Sequence, residues 1–199
     1  MNNYIFLFDL DSTITNEEIL PTIAKTINAH SYMADITEKA MNGEVPFKTS
    51  FLQRVELLKD IPVSEVQGIV LNIKLNEEIL NFINKNKENC YIVTGNLDAW
   101  ILPLMKKIGM ENHYYSSKAE IAGDKLNKII SIIDKGNIAE KFSLPIAAIG
   151  DGDNDIAMME KANISIAYGG VRKLSPAVIN CADYVFYDEK TLCKFLEKL

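Results

Sequence analysis

The 199-residue chain has 48% hydrophobic and 24% charged residues, a formal net charge of −6 and three cysteines. That balance is too apolar for a disordered chain, and the length suits one large domain or a core with a small insert. An acidic chain without a basic block argues against nucleic acid or an anionic membrane as partner, and no apolar run approaches the ~20 residues that span a bilayer.

Cys90, Cys181 and Cys193 are unclustered and read as free thiols, not as a disulfide frame or a zinc site. The start of the chain lacks a basic segment followed by an apolar run. A cytoplasmic protein is therefore expected.

Tyr4–Phe8 is apolar on both faces and reads as a strand inside a parallel sheet. It runs into Asp9 and Asp11, whose side chains at i and i+2 leave an extended chain on the same side. Like charges at the end of a buried strand repel and are costly to desolvate unless a divalent cation, a proton or a ligand lies between them. The plainer alternative is a turn whose solvated acids cap the next helix.

From Thr15 to about Leu75 the pattern is helical. Ile19, Ile23 and Ile27 repeat at i, i+4 and i+8. Asp35–Met41 is stopped by Asn42-Gly43, Pro46–Lys59 opens on proline, and Val63–Lys74 follows Asp60-Ile61-Pro62. Phe47, Phe51, Arg54 and Leu58 share one face, so Arg54 must snorkel, pair or meet a ligand. Glu18 lies where Thr15-Asn16-Glu17-Glu18 fits a capping box.

Strand and helix then alternate. Asn76 is placed to cap Glu77–Lys87. Tyr91–Val93 is a strand ending in Thr94-Gly95-Asn96, whose hydroxyl, unhindered N–H and amide suit a phosphate oxygen or a helix cap. A helix from Asp98 to Ile108 closes at Gly109, with Pro103 kinking it or marking a late start. Tyr114-Tyr115 is a weak strand. Glu120–Ile133 reads either as a hairpin turning at Gly123-Asp124 or as a helix from Asp124. Lys135 precedes a short helix, Gly136–Phe142.

Ala147–Ile149 is another buried strand, leading into Gly150-Asp151-Gly152-Asp153-Asn154-Asp155. The acid spacing imitates a calcium loop, but Ile156 stands where that loop needs glycine and Ala162 where it needs glutamate. The alternatives are a turn capping the next helix, or Asp151 joining Asp9 as an oxygen ligand to Mg²⁺. Strands at Ile164–Ala167 and Tyr184–Phe186 and a helix at Thr191–Leu199 complete an α/β, doubly wound parallel sheet. Ligands of such sheets bind beyond the carboxyl ends of the strands, where all three polar motifs fall. A phosphate-binding loop, a dinucleotide fingerprint and a serine-hydrolase elbow are absent.

Phe8-Asp9-Leu10-Asp11-Ser12-Thr13, Thr94, Lys135 and Gly150–Asp155, in that order, resemble the four motifs of the haloacid dehalogenase superfamily in its phosphatase branch. The resemblance covers the whole chain. It implies that family's Rossmann-like core over residues 1–14 and 75–199, with a small helical-bundle cap, residues 15–74, inserted after the first strand. Glu18, the stretch Glu38–Gly43 containing Met41, Phe47, and Arg54–Asp60 are similar to the cap of the phosphoserine phosphatase branch. There a Glu and an Arg bind the amino-acid end of the substrate. The second motif departs from that branch's usual Ser-Gly-Gly, since Asn96 adds a polar side chain.

The resemblance implies a Mg²⁺-dependent phosphomonoesterase acting on a small phosphorylated metabolite, as a monomer or homodimer. Asp9 would be the nucleophile and Asp11 the acid and base. Thr94, the Gly95 N–H and Lys135 would stabilise the phosphoryl charge. Mg²⁺ would lie among Asp9, Asp151 and the backbone carbonyl of Asp11, with Asp155 holding a metal-bound water or Lys135. Glu18, Met41, Phe47, Arg54, Gly95, Asn96 and Asn154 would contact or orient the substrate. Phosphoserine is the first candidate and another small phosphomonoester the alternative. A non-catalytic module binding metal and phosphate is the reading from another class, and a dehalogenase would leave Asp11 without a task.

Overall fold

The computed structural model describes residues 4–199. Among these residues seven strands form one sheet: β1 (Ile5–Phe8), β2 (Cys90–Leu97), β3 (Tyr114–Ala122), β4 (Lys125–Ser131), β5 (Ile146–Gly150), β6 (Ile164–Tyr168) and β7 (Tyr184–Phe186). Their order is β4-β3-β2-β1-β5-β6-β7, parallel except for the antiparallel β3–β4 pair. The described residues also form ten α-helices: α1 (Ile19–Ile23), α2 (His30–Met41), α3 (Phe47–Leu58), α4 (Val63–Leu71), α5 (Glu77–Lys85), α6 (Asp98–Lys107), α7 (Lys135–Ala139), α8 (Ile156–Met159), α9 (Pro176–Cys181) and α10 (Glu189–Leu196).

β1 is the central strand, with Leu7 in register with Tyr91 of β2 on one side and Ala148 of β5 on the other. Phe6 and Phe8 enter the core on one face, where the Phe82 ring of α5 meets Phe6 edge-on at 5.1 Å. Ile5 and Leu7 enter the core on the opposite face, with Val93, Ala148 and Met158. Alternate residues thus serve two cores, which is why this strand is an unbroken apolar run and not an alternating one. Strand order reverses at β1, so a crevice opens at its carboxyl end.

The chain leaves the sheet after β1 and returns before α5 along adjacent paths. Thr15 and Leu75 form an antiparallel bridge. Asn16 N donates to Lys74 O and Asn76 N to Ile14 O, both at 2.8 Å. Asn76 does occupy the N-cap position of α5, but its side chain makes no cap bond. It donates to Thr13 O at 2.8 Å, joining the two passages.

Several local expectations are corrected. The helix expected through Ile27 ends at Ile23 and tightens into a 3₁₀ turn, Ala24–Ile27, closed by Asn28 in the left-handed region. The capping box of Thr15–Glu18 does not form; Asp11 Oδ1 instead accepts from Ile19 N at 2.8 Å and caps α1 from outside. β2 continues through Thr94-Gly95-Asn96 to Leu97.

Helix α6 begins at Asp98, well before Pro103, so the proline does not mark a late start. Pro103 has no N–H for the carbonyl of Ala99 one turn earlier. Gln67 of α4 donates its Nε2 there at 2.7 Å. The stretch from Glu120 is the hairpin: β3 and β4 meet at Gly123, whose φ of +62° favours glycine. The turn also reaches α4, as Asp124 Oδ1 accepts from Ser64 N at 2.8 Å and Oδ2 from Ser64 Oγ at 2.5 Å. Pro62, at the N-cap of α4, has no side-chain acceptor, and Asp124 supplies it.

Candidate active site

The three adjacent strands β2, β1 and β5 each carry a polar motif at their carboxyl ends. Asp9 follows β1 directly and is 3% exposed; its N–H donates to Ile149 O of β5 at 2.9 Å. Asp155 turns back over the end of β5, and its Oδ2 accepts the N–H groups of Asp151 and Gly152 at 3.1 Å each. Only a glycine at 150 allows this, because a Cβ there would lie 2.4 Å from Asp155 Cγ.

Lys135 opens α7, which Asp134 caps by accepting from Asn137 N at 3.2 Å. Its buried Nζ reaches Asp9 Oδ1 at 2.5 Å and Asp155 Oδ1 at 2.6 Å. Burial alone would lower the ammonium's pKa, but the charges of Asp155 and Asp9 outweigh it and the net shift is upward. Lys135 is therefore a fixed cation.

The acids are in surplus. Burial, then the Asp155 charge, push the Asp9 carboxyl well above the ordinary carboxylate range, against the pull of Lys135. Burial, then Asp9, do the same to Asp151. Asp9, Asp151 and Asp155 offer oxygens that all lie within 4.8 Å of one another, and all three residues are buried. A cluster of hard oxygen donors with excess negative charge fits a divalent cation such as Mg²⁺. Asp11 stands apart from this cluster, its side chain being engaged with Ile19 N and with Asn96 Nδ2.

Burial, then the neighbouring Glu18 charge, raise the Asp11 carboxyl to about 7. A carboxyl poised there can hold a proton and release it near neutrality. Glu18 lies across from it, accepting from Ser12 Oγ at 3.0 Å. Ser12 is a non-glycine residue at φ +53°, a strained conformation directly after the two acids.

Above these acids lies a small cavity of about 30 Å³. Asp9, Asp11, Glu18, Arg54, Asn96 and Asn154 give it polar walls, with Asp151 and Gly95 beside them, and Leu20, Met41, Phe47 and Phe51 give it an apolar side. The Phe47 ring rests on Gly95, where a Cβ would meet Cζ at 2.3 Å. Thr94, Lys135 and Asp155 are buried beneath this lining and do not form part of it.

Arg54 is 3% exposed. Its Nε donates to Ser50 O at 3.3 Å and its Nη1 to Thr37 Oγ1 at 3.2 Å, while Nη2 is buried without a partner among the described residues. Asn154 Oδ1 is likewise buried and unpartnered there. Both residues line the cavity, and buried polar atoms without a partner are costly unless a ligand or a water completes them.

The residues singled out from the sequence thus converge on one cavity and the floor beneath it. Arg172 is the addition. Its Nη1 lies 3.4 Å from Asp151 Oδ2. The signal was present in composition, since the chain's two arginines are Arg54 and Arg172 and its other cations are lysines.

A family model described as a haloacid dehalogenase-like hydrolase matches residues 5–163. A phosphoserine phosphatase of Methanocaldococcus jannaschii is 31% identical over 178 residues, covering 82% of this chain and 84% of that protein. A phosphoserine phosphatase of Archaeoglobus fulgidus is also 31% identical, over 82% of this chain but only 52% of its own length. Among solved structures, a phospho-aspartyl intermediate analogue of phosphoserine phosphatase superposes with a TM-score of 0.83 at 26% identity, covering 98% of this chain and 99% of that one. A substrate-bound phosphoserine phosphatase complex gives 0.84 at 25% identity with the same coverage.

Proposed function

The chain belongs to the haloacid dehalogenase-like hydrolase family, and we propose that it hydrolyses a small phosphomonoester through an aspartyl-phosphate, with O-phosphoserine the first substrate to test. The observation that carries this reading is the division of labour between Asp9 and Asp11. Lys135 holds one oxygen of Asp9, whereas Ile19 and Asn96 hold Asp11. Two acids of one strand end are given separate environments, as a nucleophile and an acid require.

Asp9 attacks phosphorus, a bond forms from its carboxylate oxygen, and the bond to the leaving oxygen breaks. Asp11 gives its proton to that oxygen. A water then attacks the aspartyl-phosphate, Asp11 takes the water's proton, and phosphate leaves as the Asp9 carboxylate is restored. Lys135, Thr94 and the Gly95 N–H stabilise charge on the transferring phosphoryl group. Mg²⁺ held by Asp9, Asp151 and Asp155 would neutralise carboxylate repulsion and phosphoryl charge.

Residues 15–74 serve as the cap that selects the substrate. Glu18 suits an ammonium, and the open Nη2 of Arg54 suits a carboxylate. That pair of charges on one cavity supports an amino-acid phosphate. Phosphate release from a panel of phosphomonoesters, with Mg²⁺ and with a chelator, tests the reading. Phosphoserine should be turned over with Mg²⁺ only, and Asp9→Asn should abolish release. A panel in which choline, sugar or nucleotide phosphates outpace phosphoserine would move the substrate assignment. Binding of Mg²⁺ and phosphate without any turnover would select the non-catalytic module.

A further inference from the structure

We propose that Asn96 is a positioning residue for Asp11 and Thr94, and does not act as a contact for the substrate's head group. The proposal rests on the phosphatase reading and assigns a task within it. Asn96 is 4% exposed. Its Nδ2 donates both to Asp11 Oδ2 and to Thr94 Oγ1, the latter at 3.0 Å. Its backbone N–H donates to the same Thr94 Oγ1 at 3.2 Å.

Each contact has a geometric consequence. Asp11 receives Ile19 N on Oδ1 and Asn96 on Oδ2, so its carboxyl plane is held from both edges, by α1 and by β2. A carboxyl held by one donor alone swings about χ2, where the torsional preference is broad. Thr94 Oγ1 accepts two N–H groups from Asn96, which fills its lone pairs. Its own hydrogen is then left to point away from Asn96 as a donor. One amide thus couples the strand end that delivers a proton to the strand end that offers a hydroxyl. Proton delivery depends on alignment within hydrogen-bond reach, so loosening this coupling harms the step in which the leaving oxygen is protonated.

The test measures kcat/KM, which reports steps up to loss of the leaving group, along a series of phenyl phosphates of rising leaving-group pKa. Asn96→Gly and Asn96→Ser are compared with the unaltered chain, and their melting temperatures are recorded. A nitrophenolate leaves without a proton, whereas a poor leaving group needs one. The expected result is a loss that grows along the series, from about 2-fold for the best leaving group to about 20-fold or more for the poorest. For phosphoserine, kcat should fall while KM stays within about twofold.

An equal loss across the series would make Asn96 a general scaffold element and overturn the proposal. A raised KM for phosphoserine with kcat and the phenyl series unchanged would make it a substrate contact, which overturns the proposal as well. Asn96→Ser guards against a folding defect in the glycine variant, because it keeps a Cβ and a strand-compatible backbone. An unaltered chain without turnover on any ester would overturn the phosphatase reading itself and this role with it.

Discussion

Lys135 reaches Asp9 across 126 positions of sequence, with Nζ 2.5 Å from Oδ1, and the same ammonium lies 2.6 Å from Asp155. One cation therefore ties α7 to the ends of β1 and β5. Removing one partner of a buried charge pair leaves the other uncompensated, at a cost of about 3–5 kcal/mol. Lys135→Ala should lose most of its activity and shift the urea midpoint downward. Addition of Mg²⁺ should recover part of the stability but not the turnover. Denaturation with and without Mg²⁺ checks this, and an unshifted midpoint would show that the pair contributes nothing net.

The acid cluster predicts a stabilising cation. Mg²⁺ at about 100 times its Kd should stabilise the fold by about 2.7 kcal/mol. Asp151→Asn should remove most of that gain, since it deletes one of three clustered carboxylates. Thermal melts at several Mg²⁺ concentrations measure the gain directly, and Asp153→Asn, outside the cluster, is the control.

Arg54 lines the cavity, and its Nη2 is buried without a partner among the described residues. Arg54→Ala should raise KM for phosphoserine by roughly 10- to 100-fold, the equivalent of about 1.5–3 kcal/mol for a charged hydrogen bond. Phosphoethanolamine, which lacks the carboxylate, should be affected far less. Equal losses on both esters would remove the carboxylate-binding role.

Gln67 and Pro103 should behave as a coupled pair although they are not bonded to each other. Gln67→Ala leaves the Ala99 carbonyl unpartnered and should cost about 1–3 kcal/mol. Pro103→Ala restores an N–H that can reach that carbonyl, so Gln67→Ala should cost less in its background. A double-mutant cycle measures the difference. Strict additivity would mean that the two groups do not share the carbonyl.

Asp124 should make stability sensitive to acid. Its hydrogen bonds with the Ser64 side chain and backbone hold its carboxyl below the ordinary range. A depressed folded-state pKa contributes stability that is present above the unfolded value of about 3.9 and lost as pH falls through the folded one. Asp124→Ala should therefore lower the melting temperature at pH 7, and the gap from the unaltered chain should narrow toward about pH 3. A gap independent of pH would assign the effect to the turn and not to the charge.

The strand-and-helix order was legible because β1, β2 and β5 are buried and each carries a polar motif at its carboxyl end. Those motifs were also the chemically informative residues, and they needed only the rule that strand ends share one crevice. Less was legible wherever two local patterns fit equally. Asp124 favours a helix start as well as a turn, and only the pairing of Ala122 with Lys125 decides for the hairpin. Thr15–Glu18 has the residues of a capping box, yet Asp11 supplies the acceptor for α1. Asn76 has the residue type of a cap, yet its amide is taken by Thr13. In each case a partner distant in sequence or belonging to another element outcompetes the local one, because short polar side chains bond whatever backbone group is nearest in space.

By itself the sequence determined the fold class, the acids at the end of β1, the acidic motif after β5 and the presence of a helical insert. Hydrophobic periodicity and motif order are local properties, and they survive without coordinates. Only the tertiary structure decided how the groups are wired. It put Lys135 between Asp9 and Asp155, brought Arg172 to Asp151, left one nitrogen of Arg54 open, and turned Asn96 toward Asp11. Those are distances between elements far apart in the chain, set by how the sheet stacks and where each helix enters, and no spacing rule along a single segment contains them.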